Sequence, residues 1–259
     1  MDAEIIVEKK ESVAWITLNK PRVMNALGKQ TLLEILAAME DIGNEPGIAV
    51  TVIRGAGKSF CTGMDTREAP GPYGPEMAEF TRLADRVFTV IEKFSKITIA
   101  VIQGYCLAGG FEIALGCDFI IAENNCKIGD GHINLPGFVP SGGSSFRLPK
   151  LIGIKKAKQL LLTGDLISGK EAQKIGLVDY AVPAKDLART TENLVTKLAD
   201  KSPIGLAYMK SLINESSELT LETGLKKEHA YVDILGKTED YKEALAARRE
   251  KRKPVFKGK

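Results

Sequence analysis

Ile97-Thr-Ile-Ala-Val-Ile102 runs directly into Gln103-Gly-Tyr-Cys-Leu-Ala-Gly-Gly-Phe-Glu112. The first run reads as a strand, and the glycines after it let the chain turn with close backbone approach and unusual dihedrals. The turn opens a helix expected over Phe111–Leu115, whose unpaired N–H groups and dipole face whatever lies in the crevice. The same construction occurs upstream, where a strand over 48–53 passes through Arg54 into Ser59-Phe-Cys-Thr-Gly-Met-Asp65. Two main-chain N–H donors from separate turns, converging on one oxygen, make an oxyanion hole. Spacing alone also fits two ordinary strand-to-helix turns, and by itself favours them. Gly55-Ala-Gly-Lys58-Ser59 looks like the end of a phosphate-binding loop, but the first glycine of that pattern falls at Val52, so it reads as a tight turn.

Outward from these turns the chain alternates short strands and helices. Glu4–Glu8 and Val13–Leu18, separated by a charged break, predict a hairpin. Leu32, Ile35, Met39 and Ile42 mark an amphipathic helix that Gly43-Asn44 stops. Residues 69–75, rich in proline and glycine, read as a loop; Met77 to Phe94 stripe a long helix after it. Strands follow over Asp118–Ala122 and near Lys127, giving an α/β core of repeated strand-strand-helix units. From Leu148 the strand-like runs thin out. Ser168-Gly-Lys-Glu171 is a capping box for a short helix closed by Gly176. Leu187, Thr191, Leu194, Val195 and Leu198 form one apolar stripe, and Leu221, Leu225, Val232 and Leu235 another, whose faces need partners. The expected division is an α/β core over 1–195 and a helical oligomerisation region over 196–259.

The chain has 259 residues, 44% hydrophobic and 27% charged, which argues against disorder. Lys and Arg number 36 against 33 Asp and Glu, so the net charge of +3 makes no case for nucleic acid. The helix expected over 29–42 carries only Lys29 as a basic residue, beside Glu34, Glu40 and Asp41, the wrong electrostatics for RNA. A basic tail is formed by Arg248, Arg249, Lys251, Arg252, Lys253 and Lys257. Cys61, Cys106, Cys117 and Cys126 show no C-x-x-C pairing and read as reduced, mostly core thiols. Two histidines speak against a multi-histidine metal site, so no metal is expected. The N-terminus lacks the order of a signal peptide, and no apolar run reaches the ~18 residues of a membrane span. The expectation is a cytoplasmic protein with no membrane partner.

Glu112 lies in the first turn of the helix that opens at the second glycine turn, where a glutamate also serves simply as a dipole complement. Twenty residues on, Asp130-Gly-His132 sits between turns in a histidine-poor chain; His229 falls mid-helix and reads as structural.

Phe60-Cys-Thr-Gly-Met-Asp65, Gly104-Tyr-Cys-Leu-Ala-Gly-Gly-Phe-Glu-Ile-Ala114, Cys117-Asp118, Pro140-Ser-Gly-Gly143 and Arg147-Leu148 strongly resemble the enoyl-CoA hydratase/isomerase (crotonase) family. So do Leu18-Asn-Lys-Pro21 with Asn25-Ala-Leu27, Leu162-Thr-Gly-Asp165, Ala172 with Gly176-Leu-Val178, and Glu250-Lys-Arg-Lys253. These blocks fall in family order over nearly the whole chain. The resemblance implies an α/β fold, a crotonase-like spiral of ββα units with a C-terminal helical trimerisation region. It implies a homotrimer or a hexamer made of two trimers, and an acyl-CoA substrate. No separate cofactor is implied, because coenzyme A is part of the substrate.

Residue by residue, the resemblance places the two oxyanion-hole amides at Met64 and Gly109 and the first hydratase glutamate at Glu112. The second hydratase glutamate is replaced by His132. Arg22, Met24, Ala26, Thr62, Asp65, Gly110, Phe111, Pro136, Gly137 and Lys251 fall at positions implied to bind the substrate or its CoA, Lys251 by reaching a neighbouring subunit's nucleotide. Tyr73, Phe111 and Phe138 are expected to shape the acyl end. The implied reaction is syn hydration of a 2-enoyl-CoA, or the reverse, through a thioester enolate. Double-bond isomerisation ranks second, and decarboxylation or cyclic dienoyl-CoA hydration third. A non-catalytic CoA-binding homologue is argued against by Glu112 and both glycine turns.

Overall fold

The computed structural model describes residues 3–68, 74–134 and 139–259. Strands β1 (Ile5–Lys10) and β2 (Val13–Leu18) form the expected antiparallel hairpin. Helix α1 (Lys29–Gly43), strand β3 (Val50–Gly55), helix α2 (Pro75–Glu92) and strand β4 (Ile97–Ile102) follow. Pro75, expected in the loop, is instead the first residue of α2, where its missing N–H costs no intrahelical bond. Gly74, also expected in the loop, precedes that helix at φ 112°, and residues 69–73 lie outside the described residues.

The glycine-rich stretch after β4 is more ordered than its composition suggests. It contains a three-residue strand, β5 (Tyr105–Leu107), before helix α3 (Gly109–Gly116). Strands β6 (Phe119–Glu123) and β7 (Lys127–Gly129) come next. Helices α4 (Ser144–Ile152), α5 (Ile154–Thr163) and α6 (Gly169–Lys174) lead to strand β8 (Tyr180–Val182). Ser168 and Glu171 close the capping box at α6 as read from the sequence. Helices α7 (Leu187–Ala199), α8 (Pro203–Glu215), α9 (Leu221–Leu235) and α10 (Glu239–Glu250) complete the chain.

The main sheet has six strands in the order β1-β2-β3-β4-β6-β8, parallel from β2 onward. β4 is buried along its whole length, and successive side chains serve opposite faces. Ala100 and Ile102 join the core that α1, α2 and α3 cover, whereas Ile99 and Val101 join Val50, Val52, Leu194 and Val195 beneath α7. The 195/196 division therefore falls inside α7, which lies on the sheet. Edge strand β1 is exposed and ends in Glu8, Lys9 and Lys10, charges that discourage pairing with another chain. Helix α8 is fastened to the core by buried Lys210, which donates to Asp118 Oδ2 at 2.7 Å and to the Lys96 carbonyl at 3.2 Å.

A second, two-stranded sheet positions the site. β5 runs parallel to β7 with Leu107 opposite Gly129, and an isolated parallel bridge joins Cys61 to Cys106. Three chain segments thus leave side by side in one direction: 61–65, the start of α3, and Asp130 to His132. Ligand crevices form at such carboxyl ends of parallel strands.

Candidate active site

The first turn is locked to the segment over 20–27 by a parallel bridge between Leu27 and Met64. Leu27 N–H donates to the Gly63 carbonyl at 2.7 Å, and Asp65 N–H to the Leu27 carbonyl at 2.9 Å. A parallel bridge of this kind uses the amides on either side of Met64 and leaves its own N–H pointing away. Gly109 opens α3, where an amide has no acceptor four residues back. Among the described residues, neither the Met64 nor the Gly109 N–H has an internal hydrogen-bond partner.

The two turns touch. A Cβ built on Gly63 (φ 93°) would lie 3.1 Å from the Gly109 nitrogen and 2.8 Å from Ala108 Cβ. One built on Gly110 would lie 2.4 Å from the Cys61 carbonyl oxygen. Ala108 itself holds φ 49° and ψ −120°, a conformation rare outside glycine that costs about 1–3 kcal/mol. It is held there by its N–H, which points at the Gly129 and Asp130 carbonyls (3.2 and 3.1 Å). Neither glycine turn is an ordinary connection, because each is built to let the other's backbone approach.

Glu112 projects from the first turn of α3 and is only 2% exposed. Its Oε1 accepts from the Gly142 N–H at 2.6 Å and from the Ser144 hydroxyl at 3.3 Å. Burial pushes its carboxyl up to about 7, despite the opposing pull of the His132 charge. Gly142 is gripped from the other side by Arg147, whose Nη1 donates to its carbonyl at 2.6 Å while Nε and Nη2 hold Glu92. A Cβ on Gly142 would fall 2.3 Å from both Glu112 Oε2 and Phe88 Cε2. Gly142→Ala is therefore expected to cost about 1–3 kcal/mol by overpacking and to displace the Glu112 carboxylate. Thermal unfolding and turnover, measured together, check both effects.

His132 follows Gly131 (φ 70°) in a single turn of 3-10 helix. Its Nδ1 lies 2.6 Å from Asp130 Oδ1, and its backbone N–H donates to the same oxygen at 3.1 Å. Burial alone would lower the imidazole, but the Asp130 hydrogen bond and the Asp130 and Glu112 charges outweigh it and raise it above 6.5. Burial likewise works to raise the Asp130 carboxyl, and the His132 contact holds it below the usual range. Glu112, raised by burial, and His132, raised by Asp130, thus lie together with two amides that have no internal partner among the described residues.

The remaining expected positions divide. Ala26 and Asp65 are buried and Thr62 is half-buried beside Met24, toward whose carbonyl its hydroxyl points (3.4 Å). Asp65 binds the Arg67 guanidinium, which holds its carboxyl at about 2. Arg22 is exposed on a 3-10 turn over Pro21–Val23, and Met24 ends that turn in the left-handed region. Gly110 is buried against Cys61. Phe111, expected at the acyl end, is a core residue instead: α3 is buried all round, and the ring is 1% exposed within the main cluster. Lys251 is exposed at the end of α10 with φ 54°, and no contact ties it to the Glu112 cluster of the same chain among the described residues. Pro136 and Gly137, with Tyr73 and Phe138, lie outside the described residues.

Four residues of the site carry no role in the sequence reading. Asp130, Gly142 and Ser144 shape the acid–base groups. Asn25, in the left-handed region at φ 56°, ties the segment over 20–27 to the first turn by donating from Nδ2 to the Ala56, Ser59 and Phe60 carbonyls. The two-residue spacing of Asp130 and His132 around a glycine was the available signal for the first of these.

The family model for enoyl-CoA hydratase/isomerase matches residues 8–259. A crotonyl-CoA hydratase of Syntrophomonas wolfei is 37% identical over 253 residues, 97% of either chain. A short-chain-enoyl-CoA hydratase of Clostridium acetobutylicum is 35% identical, covering 96% of this chain and 95% of its own. The crystal structure of an enoyl-CoA hydratase from Bacillus anthracis superposes with a TM-score of 0.94 at 33% identity, covering 99% of this chain and all of that one. The crotonase-like architecture expected from the sequence is thus the observed one. By fold, by motif and by full-length similarity, the chain belongs to the enoyl-CoA hydratase/isomerase family.

Proposed function

We propose that the protein adds water across the double bond of a 2-enoyl-CoA, or removes it in the reverse direction. The observation that carries this reading is the buried Glu112 carboxyl, facing His132 and set on the helix that opens at Gly109, beside Met64 and Gly109 amides that have no internal partner among the described residues. The Glu112 carboxylate takes a proton from water as the oxygen attacks the β carbon. The displaced π electrons move to the thioester oxygen, where the Met64 and Gly109 N–H groups meet the developing charge. As the enolate collapses, the α carbon takes a proton from His132 Nε2. The proton now on Glu112 passes to the imidazole, which restores the starting state. Coenzyme A enters as part of the substrate, and the balance requires no separate cofactor. An isomerase needs one base shuttling a proton between carbons; a separate acceptor and donor suit hydration better.

The CoA moiety is assigned to two adjoining segments, one with Arg22, Met24 and Ala26 and the other with Thr62 and Asp65, with Lys251 supplied by a neighbouring subunit. Assembly as a trimer, or a hexamer of two trimers, is supported by apolar side chains left in the open: Phe146 (77% exposed), Leu221 (79%) and Val232 (66%) lie on α4 and α9. Four unpaired cysteines fit a reducing, cytoplasmic setting. Among the described residues no helix is long and apolar enough to cross a membrane. The test is incubation with crotonyl-CoA followed by mass spectrometry. A gain of one water with loss of the enoyl-thioester absorbance is expected; an unchanged mass with a moved double bond, or no reaction across a panel of chain lengths, overturns the reading.

A further inference from the structure

We propose that Asp130 is a positioning residue that makes His132 the proton donor of this site, a pair taking the place of a single carboxylic acid. The inference rests on the hydration reading above. Its geometric basis is that one oxygen, Asp130 Oδ1, binds both the backbone N–H of His132 (3.1 Å) and its ring Nδ1 (2.6 Å). Main chain and ring are thereby fixed to the same point, and Nε2 is left as the only ring nitrogen that can meet a substrate. A carboxylate at Nδ1 fixes the tautomer, orients the ring and stabilises its charged form.

The local chain is built for this contact. Gly131 holds φ 70° between the two residues, and among the described residues nothing lies within 4 Å of where a Cβ would stand, so the glycine serves the turn. Asp130 continues directly from Gly129, the last residue of β7, which is paired with Leu107 of β5, so its position is set by the sheet that also sets α3. Asp130 is 6% exposed, and its Oδ2 is buried with no hydrogen-bond partner among the described residues. Burying a carboxylate this way is unfavourable unless a cation answers it. Among the described residues, the charged groups facing His132 are Asp130 from its own turn and Glu112 from α3, and both favour the imidazolium. Without the Asp130 carboxylate the half-buried imidazole would be lowered by burial, and so hold its titrating proton less firmly as a donor to the α carbon.

The experiment is NMR titration of the whole protein carrying histidine labelled at Cε1. The chain has two histidines, so His229→Gln assigns both signals. In the unaltered protein the His132 signal is expected to titrate above 6.5. In Asp130→Asn, which keeps an acceptor but not the charge, its midpoint should fall by about 1–3 units. The alkaline limb of kcat/KM for crotonyl-CoA should move down with it, since activity is lost where the donor loses its proton. Asp130→Ala should lower the midpoint at least as far. If the unaltered His132 titrates at or below 6.5, the proposal is overturned without recourse to any variant, even if both variants fail to fold. An unmoved midpoint in Asp130→Asn, or a moved midpoint with an unmoved pH–rate profile, overturns it too. The ring titration needs no substrate. If the unaltered protein hydrates no enoyl-CoA, the hydration reading falls and the donor role with it, whereas normal turnover beside an unmoved ring removes only the role given to Asp130.

Discussion

Glu112→Gln is expected to lower kcat for crotonyl-CoA hydration by about 10²–10⁴, the range typical for loss of a general base, while leaving affinity for the CoA ester nearly unchanged. The amide is the same size and keeps an oxygen to accept from the Gly142 N–H, so the pocket retains its shape and loses only basicity. In the unaltered enzyme the rate should fall as pH drops through about 7, because the protonated carboxyl cannot take a proton from water. The substitution also has a stability consequence of opposite sign. A carboxyl raised to about 7 by burial binds its proton more tightly folded than unfolded. Stability conferred by that group is present below the ordinary value of 4.5 and declines as pH rises toward and beyond 7. Glutamine removes the decline, so Glu112→Gln should melt higher than the unaltered protein above pH 7, by an amount on the order of 1–2 kcal/mol. Thermal unfolding at acid and alkaline pH, alongside steady-state kinetics, checks the pair of effects. A variant that keeps near-full turnover removes Glu112 from the mechanism.

Those opposed effects show why some of the site was legible in the sequence and some was not. Strands β2 and β4 could be bounded to the residue because their apolar runs are broken sharply by charge or glycine. Local features, glycine turns at strand ends and a carboxylate in the first turn of a helix, singled out the two turns and Glu112, but only the family resemblance assigned the amides of Met64 and Gly109 and a role to Glu112. What escaped is non-local or short. β5 and β8 have three residues each, too few for a period to register, and exist only because β7 and β6 supply partners. The reach of Gly142 and Ser144 to Glu112 spans some thirty residues and depends on Arg147 clamping the intervening turn. Phe111 was misplaced for a related reason. Its neighbours in sequence border the crevice, but α3 is enclosed on every side and turns that ring into the core. Asp130 shows the limit most clearly: its spacing from His132 was visible, but only the fold reveals a buried Asp130 and a half-buried His132 beside Glu112.

Gly63→Ala is expected to reduce kcat by about 10²–10³, the cost of losing one donor from an oxyanion hole, ~2.7–4 kcal/mol. No substitution can delete a main-chain amide without changing the backbone, so the test must move the two turns apart. Gly63 is suited to this. At φ 93° a side chain is strained, and the new Cβ would stand 2.8 Å from Ala108 Cβ and 3.1 Å from the Gly109 nitrogen. Neither neighbour can give way easily, since Ala108 is fixed through its N–H to the Gly129 and Asp130 carbonyls and Gly109 is the start of a buried helix. The strain therefore falls on the separation of the Met64 and Gly109 amides. Slow turnover alone would not separate this from general damage, and a spectroscopic readout does. An aryl enoyl-CoA held by two amides has its carbonyl polarised, and its absorbance shifts to longer wavelength on binding. That shift should persist in Glu112→Gln, where the base is lost and the amides remain, and shrink in Gly63→Ala, where Glu112 is intact. Equal shifts in both variants would mean that the thioester oxygen lies elsewhere, and that Met64 and Gly109 stabilise no charge.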